Sequence, residues 1–398
     1  MKLWRHILLT TTTILSLIFC SSESVSAQTA NDYWLAADKA LAAGDTDSTF
    51  YYLDMFRKRF GRQYAYAYTT FLTEEDYRPL HNDARWTAFM DSMRIYKHED
   101  EDKREIAYPK KAVVKDTNAP TVKRYDIMLY IDVEKKKLAV TTTALIDFKG
   151  RESIDFTLWK NSTINHIRCK KKELAYSFDT KNESTNTYIR QGAPLHLTAP
   201  KNKGICSIAF DYTCNLDSID TWMSSMEKDW VQLGYYIAWF PVNNDSRDFT
   251  ANVSISINKD YTVSGSGIVE RKGDKWKMSQ TWGSFDLQIV ASPSLKSKKM
   301  TNNGRTFEVV YTDFADADAD SALVACSKAL QFYTRLFKTN PNNDYMKFLV
   351  VPRRGGGISR KNFIAYATRR FNEHFKTAIG HEMGHFWWNK APTFSWED

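Results

Sequence analysis

Between residues 127 and 146 the apolar side chains fall on every second position. Ile127, Leu129, Ile131 and Val133 alternate with other residues, Lys135-Lys136-Lys137 marks a turn, and Leu138, Val140, Thr142, Ala144 and Ile146 alternate again. Successive strand side chains point to opposite faces, so this pattern predicts a β-hairpin with one buried and one wet face. Such a face has to be covered by more structure. Short strand-like runs follow at 154–158, 205–212, 235–240, 253–257, 261–264, 276–281 and 287–291, with Asn, Asp, Gly and Lys between them. Residues 123–292 therefore predict an antiparallel β domain.

The flanking segments have helical spacing. Tyr33, Leu35, Ala37, Ala40 and Leu41 define a first helix that Gly44-Asp45 breaks. Phe50, Leu53, Phe56 and Phe60 define a second that Gly61 closes, and Leu80, Trp86, Phe89 and Met93 a third. The Ala40-Leu41-Ala42-Ala43-Gly44-Asp45 turn looks like that of a tetratricopeptide hairpin. One unit is not an array, so the expectation is a small helical domain over 28–105. The charge run 98–105, with Pro109 and Pro120 beyond it, reads as linker, bounded at 106–122. After the β domain come a strand at 307–311, a helix at 318–337, an apolar strand at 346–351, a glycine-rich loop at 353–357, an edge strand at 362–367 and a helix at 371–389. The last helix carries its apolar stripe on Phe375, Ile379, Met383 and Phe386.

The first residues read as a targeting segment. Lys2 and Arg5 precede an apolar stretch at 7–19, and Val25-Ser26-Ala27 is a small-residue cleavage site, so 1–27 is expected to be a signal peptide. That implies a periplasmic or secreted protein. Lipid anchoring through Cys20 fits less well, because Phe19 stands where a small residue is wanted. No later stretch reaches the ~18 apolar residues of a membrane span. Export favours an oxidising compartment, in which Cys169, Cys206 and Cys214 are candidates for a disulfide and Cys326 is a fourth thiol; free buried thiols are the equal alternative, and the sequence does not choose the pairing. The net charge of +8 comes from scattered lysine clusters that read as solvated corners, and no nucleic-acid motif accompanies them. Asp313, Asp316, Asp318 and Asp320 suit a helix N-terminus better than a calcium loop, which needs a central Gly and a terminal Glu.

The chemistry concentrates near the C-terminal end. His381-Glu382-Met383-Gly384-His385 is an HExxH pattern on an expected helix. Histidines four apart share a helix side, so two ring nitrogens can grip one ion at ~2.0–2.1 Å. Glu382 can face the same pocket and take a proton from an activated water. His374, two turns earlier, reads as a surface histidine.

The run His381-Glu382-Met383-Gly384-His385-Phe386-Trp387-Trp388-Asn389 resembles the gluzincin zinc aminopeptidases, peptidase family M1. Trp239-Phe240-Pro241-Val242-Asn243-Asn244 looks like that family's Trp-Phe-Pro turn, and the resemblance covers about 123–398. It implies a multidomain α+β chain in which an antiparallel, saddle-shaped β domain precedes a thermolysin-like catalytic domain, here 293–398. It implies one zinc ion held by His381 and His385, Glu382 as catalytic base, and a peptide substrate running beside Gly356, Gly357, Ile358 and Ser359. Relatives take a third zinc ligand from a glutamate further downstream. Ser395-Trp396-Glu397-Asp398 looks like the lead-in to that segment, so the third ligand is expected beyond Asp398 and the catalytic domain is read as incomplete. A second departure lies in the Gly-x-Met-Glu-Asn motif. On the alignment set by Tyr366, Ser359 replaces the glutamate that binds the substrate amine, and Arg360 replaces the asparagine. The expectation is an exported zinc metallopeptidase, weak or inactive as this chain. The alternative is a binding or scaffold protein on a degenerate peptidase fold.

Overall fold

The computed structural model describes residues 30–65, 67–107, 116–182, 184, 189, 191–201, 203–219, 224–339, 344–352 and 356–388. The expected leader at 1–27 with Cys20, residues 108–115 of the expected linker, the glycine-rich segment 353–355 and Glu397 lie outside these. The chain is mixed α+β, mostly sheet, and divides into two compact units, residues 1–107 and 108–398.

In the first unit, helices Ala30–Ala42 (α1), Thr46–Phe60 (α2), Ala67–Thr73 (α3) and Ala84–Ala107 (α4) pack with a 3-10 turn at Glu75–Leu80. Asp45 starts α2 by accepting from the Ser48 amide at 3.0 Å. The core is aromatic, with Trp34, Phe56, Phe71, Tyr77 and Phe89 in mutual ring contact. Trp34 Nε1 donates to Tyr77 Oη, which donates to the buried Asp38. The charge run 98–105 is helical, as the expected helical domain over 28–105 has it, and the helix continues to Ala107, two residues into the expected linker. Its residues favour helix, and acids precede bases by four positions at Glu99/Lys103 and Asp100/Arg104.

Among the described residues the second unit carries twenty strands: Thr121–Asp132 (β1), Lys137–Asp147 (β2), Ser153–Trp159 (β3), Ser162–Cys169 (β4), Lys172–Glu173 (β5), Tyr176–Phe178 (β6), Gly192–Thr198 (β7), Ile205–Asn215 (β8), Ser225–Met226 (β9), Val231–Leu233 (β10), Phe249–Ser256 (β11), Thr262–Gly265 (β12), Ile268–Lys272 (β13), Lys275–Ser284 (β14), Ile289–Ser292 (β15), Lys296–Asn302 (β16), Arg305–Tyr311 (β17), Tyr345–Val351 (β18), Gly357–Arg360 (β19) and Phe363–Ala367 (β20). Helices Asp316–Phe337 (α5) and Glu373–Trp388 (α6) complete it. An eight-stranded sheet runs in the order β13-β14-β11-β1-β2-β8-β4-β5, beside a four-stranded β12-β15-β10-β9 sheet and a three-stranded β3-β7-β6 sheet. The inward residues of the alternating β1–β2 hairpin join one large core. Among the described residues the expected all-antiparallel pairing fails at one place: β1 and β11 are parallel. β11 enters beside β1 only after the excursion through β2 to β10, so no hairpin constrains its direction.

Residues 235–240, expected as a strand, instead make a 3-10 turn at Tyr235–Ile237 followed by Ala238 in the left-handed region. Trp239 and Phe240 are both fully buried, so no face alternates with solvent. Their carbonyls find side chains in place of a ladder: Tyr212 Oη donates to the Trp239 carbonyl and Tyr125 Oη to that of Pro241.

The remaining sheet has the order β16-β17-β18-β20-β19, with β17, β18 and β20 parallel. α5 and α6 cover one face through Leu323, Cys326, Leu330, Phe375, Ile379 and Met383. The other face buries Val310, Leu349, Val351, Phe363 and Ala365. β18 is buried on both faces, which is why its sequence is a near-continuous apolar run. Residues 362–367 were expected at the edge, but β20 lies inside. The turn at Lys361-Asn362, with Asn362 at φ 63, folds β19 outward, and among the described residues β19 is the edge.

Candidate metal and catalytic site

α6 is placed by its start and by its stripe. The Asn372 side chain accepts from the Phe375 amide at 2.8 Å. Just before it, Asp318 of α5 accepts from the Phe371 amide at 3.0 Å, so part of the acidic run anchors the approach to α6. Tyr333 donates to the Gly380 carbonyl at 3.1 Å and packs on Trp387. With Phe375, Ile379 and Met383 in the core, the histidines are turned outward: His381 is exposed and His385 half-buried. Their ring centroids are 4.9 Å apart and nearly perpendicular.

Glu382 is turned the other way. It is 5% exposed and its carboxyl lies against Gly357 of β19. A methyl group at Gly357 would collide with Glu382 Oε1 and stand 2.7 Å from Tyr366 Cδ2. Burial pushes the Glu382 carboxyl up to about 7, and the Arg360 cation pulls it down. A carboxyl that titrates near neutrality is suited to exchanging protons with a reacting group.

The predicted peptide-binding residues divide by strand alternation. Gly356 is exposed at the mouth of β19. Gly357 and Ser359 share the face toward α6, and Ile358 packs on the opposite face. Ser359 is buried, and its Oγ has no hydrogen-bond partner among the described residues. The edge of β19 thus runs directly past Glu382, while His381 and His385 sit on the helix that carries it.

Three features were not foreseen. Tyr366, opposite Gly357 on β20, flanks Glu382 and lies 3.1 Å from His374 Nε2 through its hydroxyl. Arg360 is half-buried: it donates to Asp286 at 2.8 Å and to Tyr236 at 3.1 Å, with its guanidinium 4.4 Å from the centre of the Phe285 ring. Asp286 is fully buried and also accepts from the Tyr235 amide and from Gln288. This network ties the turn before Trp239-Phe240-Pro241 to the strand beside Glu382. The only early signal was a basic residue in a strand otherwise made of small and apolar residues.

For zinc, the donor chemistry is suitable in part. Two imidazoles one helical turn apart and an adjacent buried carboxyl suit the ion and its base. Among the described residues no group of three His, Cys, Asp or Glu side chains gathers at one point. Also among the described residues, no helix is long and apolar enough to cross a membrane. No family model matches the chain, and no curated protein matches it significantly.

Proposed function

We propose that this chain is an exported zinc metallopeptidase of gluzincin aminopeptidase type. In this reading the large β region is the saddle domain, the sheet with α5 and α6 begins a thermolysin-like domain, and the first unit is an accessory, tetratricopeptide-like module. The observation that carries the reading is the junction of α6 with β19: a buried carboxyl against Gly357, a histidine pair on the same helix, and a strand edge beside them. His381 and His385 would hold the zinc, which when bound supplies Lewis-acid activation of water and carbonyl. Glu382 accepts the proton of the attacking water and passes it to the leaving amine. The backbone of β19 pairs with an extended peptide, as an open strand edge does.

The alternative, a peptide-binding protein on the same scaffold, draws support from Ser359. A hydroxyl there cannot offer an ammonium the anionic partner it wants. Peptide turnover with and without added zinc, compared with Glu382→Gln, decides between the two. The peptidase reading predicts zinc-dependent cleavage, weak in this chain, that is lost in the variant. Saturable peptide binding with no cleavage in either protein supports the alternative.

A further inference from the structure

The four cysteines among the described residues differ in surroundings. Cys326 is buried under α5, and Cys214 is buried with its Sγ 3.3 Å from Ser162 Oγ. Cys169 and Cys206 are half-buried on adjacent strands. In the antiparallel β4–β8 pair Cys169 stands opposite Ile208, so Cys206, two residues along β8, comes out on the same face at the diagonal position. Both lean on the rim of the same core. β4 turns immediately after Cys169, at Lys170 with φ 57, and pairs back through Lys172. The strand has therefore left before residue 171 could stand across from Cys206. The Cys169 thiol is close enough to Cys206 to add to the effect of burial in pushing the Cys206 thiol up.

We propose that Cys169 and Cys206 close a disulfide that fastens the end of β4 to the start of β8 and ties off residues 170–205, with β5, β6 and β7 inside the loop. Two S–H bonds give way to one S–S bond. The two electrons pass to a disulfide oxidant such as oxidised glutathione, whose own S–S bond becomes two thiols that take up the two protons. One cysteine thiolate attacks the oxidant, and the other displaces the glutathione thiolate from the mixed disulfide. Burial and the neighbouring Cys169 thiol push the Cys206 thiol up, with Lys170 opposing them, so closure is faster at alkaline pH, where more of the thiol is ionised. Cys214 and Cys326 take no part, because each is enclosed away from a partner thiol. The proposal is independent of the peptidase reading.

The test is thiol counting and peptide mapping on the full chain after equilibration with oxidised glutathione, then denaturation and alkylation without reduction. The expected result is that Cys214 and Cys326 are alkylated and Cys169 and Cys206 are recovered as one cross-linked peptide pair, two hydrogen masses light. Cys169→Ser should return Cys206 to the alkylated or glutathione-capped pool, and Cys214→Ser should leave the cross-link in place. Cys169 and Cys206 both fully alkylated, each capped by glutathione without closing on the other, or either linked to Cys214 would overturn the proposal.

Discussion

The Glu382 carboxyl occupies the space that any side chain at Gly357 would need, so the residue type at 357 and the position of the glutamate are set together. The glycine is required here by proximity: its φ is not in the left-handed region, and a methyl would meet both Glu382 and the Tyr366 ring.

Gly357→Ala is therefore expected to destabilise the second unit by about 1–3 kcal/mol, the usual cost of overpacking a close contact. Urea denaturation followed by tryptophan fluorescence measures it. An unchanged midpoint would show that Glu382 moves aside freely.

A larger effect is expected at Asp286. It is fully buried, and it neutralises Arg360, whose side chain is 10% exposed. Removing one partner of a buried pair leaves the other charge uncompensated, at a cost of roughly 3–5 kcal/mol. Asp286→Ala should fall in that range, and Asp286→Ala combined with Arg360→Met should recover part of the loss. A double variant no better than Asp286→Ala would contradict the pairing.

Lys347 gives a pH dependence. It sits in the buried strand β18, with Nζ donating to the Gly267 carbonyl and Ser264 Oγ, and Glu308 Oε2 at 3.7 Å. Tyr345 donates to Glu308, and Lys299 approaches the same carboxylate. Burial pushes the Lys347 ammonium down to about 8, against the attraction of Glu308. The unfolded chain keeps that proton to about 10.5, so from about pH 8 to 10.5 the unfolded state binds more protons and the stability from this group rises with pH. The rise totals about 3 kcal/mol at 1.36 kcal/mol per unit. Unfolding free energies between those limits should climb less steeply in Lys347→Met than in the unaltered chain. Parallel slopes would contradict the assignment.

Local periodicity made much of this fold legible. The β1–β2 hairpin, α5, α6 and the HExxH pattern rest on spacings of two and of three to four residues, which a single segment carries by itself. The turn at Tyr235–Ile237 was misread as a strand because aromatic residues favour strands. Here long-range donors, Tyr125 and Tyr212, satisfy carbonyls that a strand would have paired. The edge position of β19 was missed because sheet order depends on which strands meet, and nothing in residues 357–367 records that. The Arg360–Asp286 pair joins positions 74 residues apart, beyond the reach of any pattern. Lys347 went unremarked inside the apolar strand read at 346–351, because its partner Glu308 lies on another strand.

The most direct test is equilibrium zinc binding to the full chain and to three variants, with a competing chelator as reference. His381→Ala and His385→Ala should each weaken zinc binding at least about tenfold, since each removes one of the nitrogen ligands. Glu382→Gln should bind zinc as the unaltered chain does while cutting any zinc-dependent peptide cleavage by roughly 10²–10⁴, because the glutamine keeps the shape and loses the base. Zinc affinity unchanged by both histidine replacements, or cleavage unchanged in Glu382→Gln, would contradict the account.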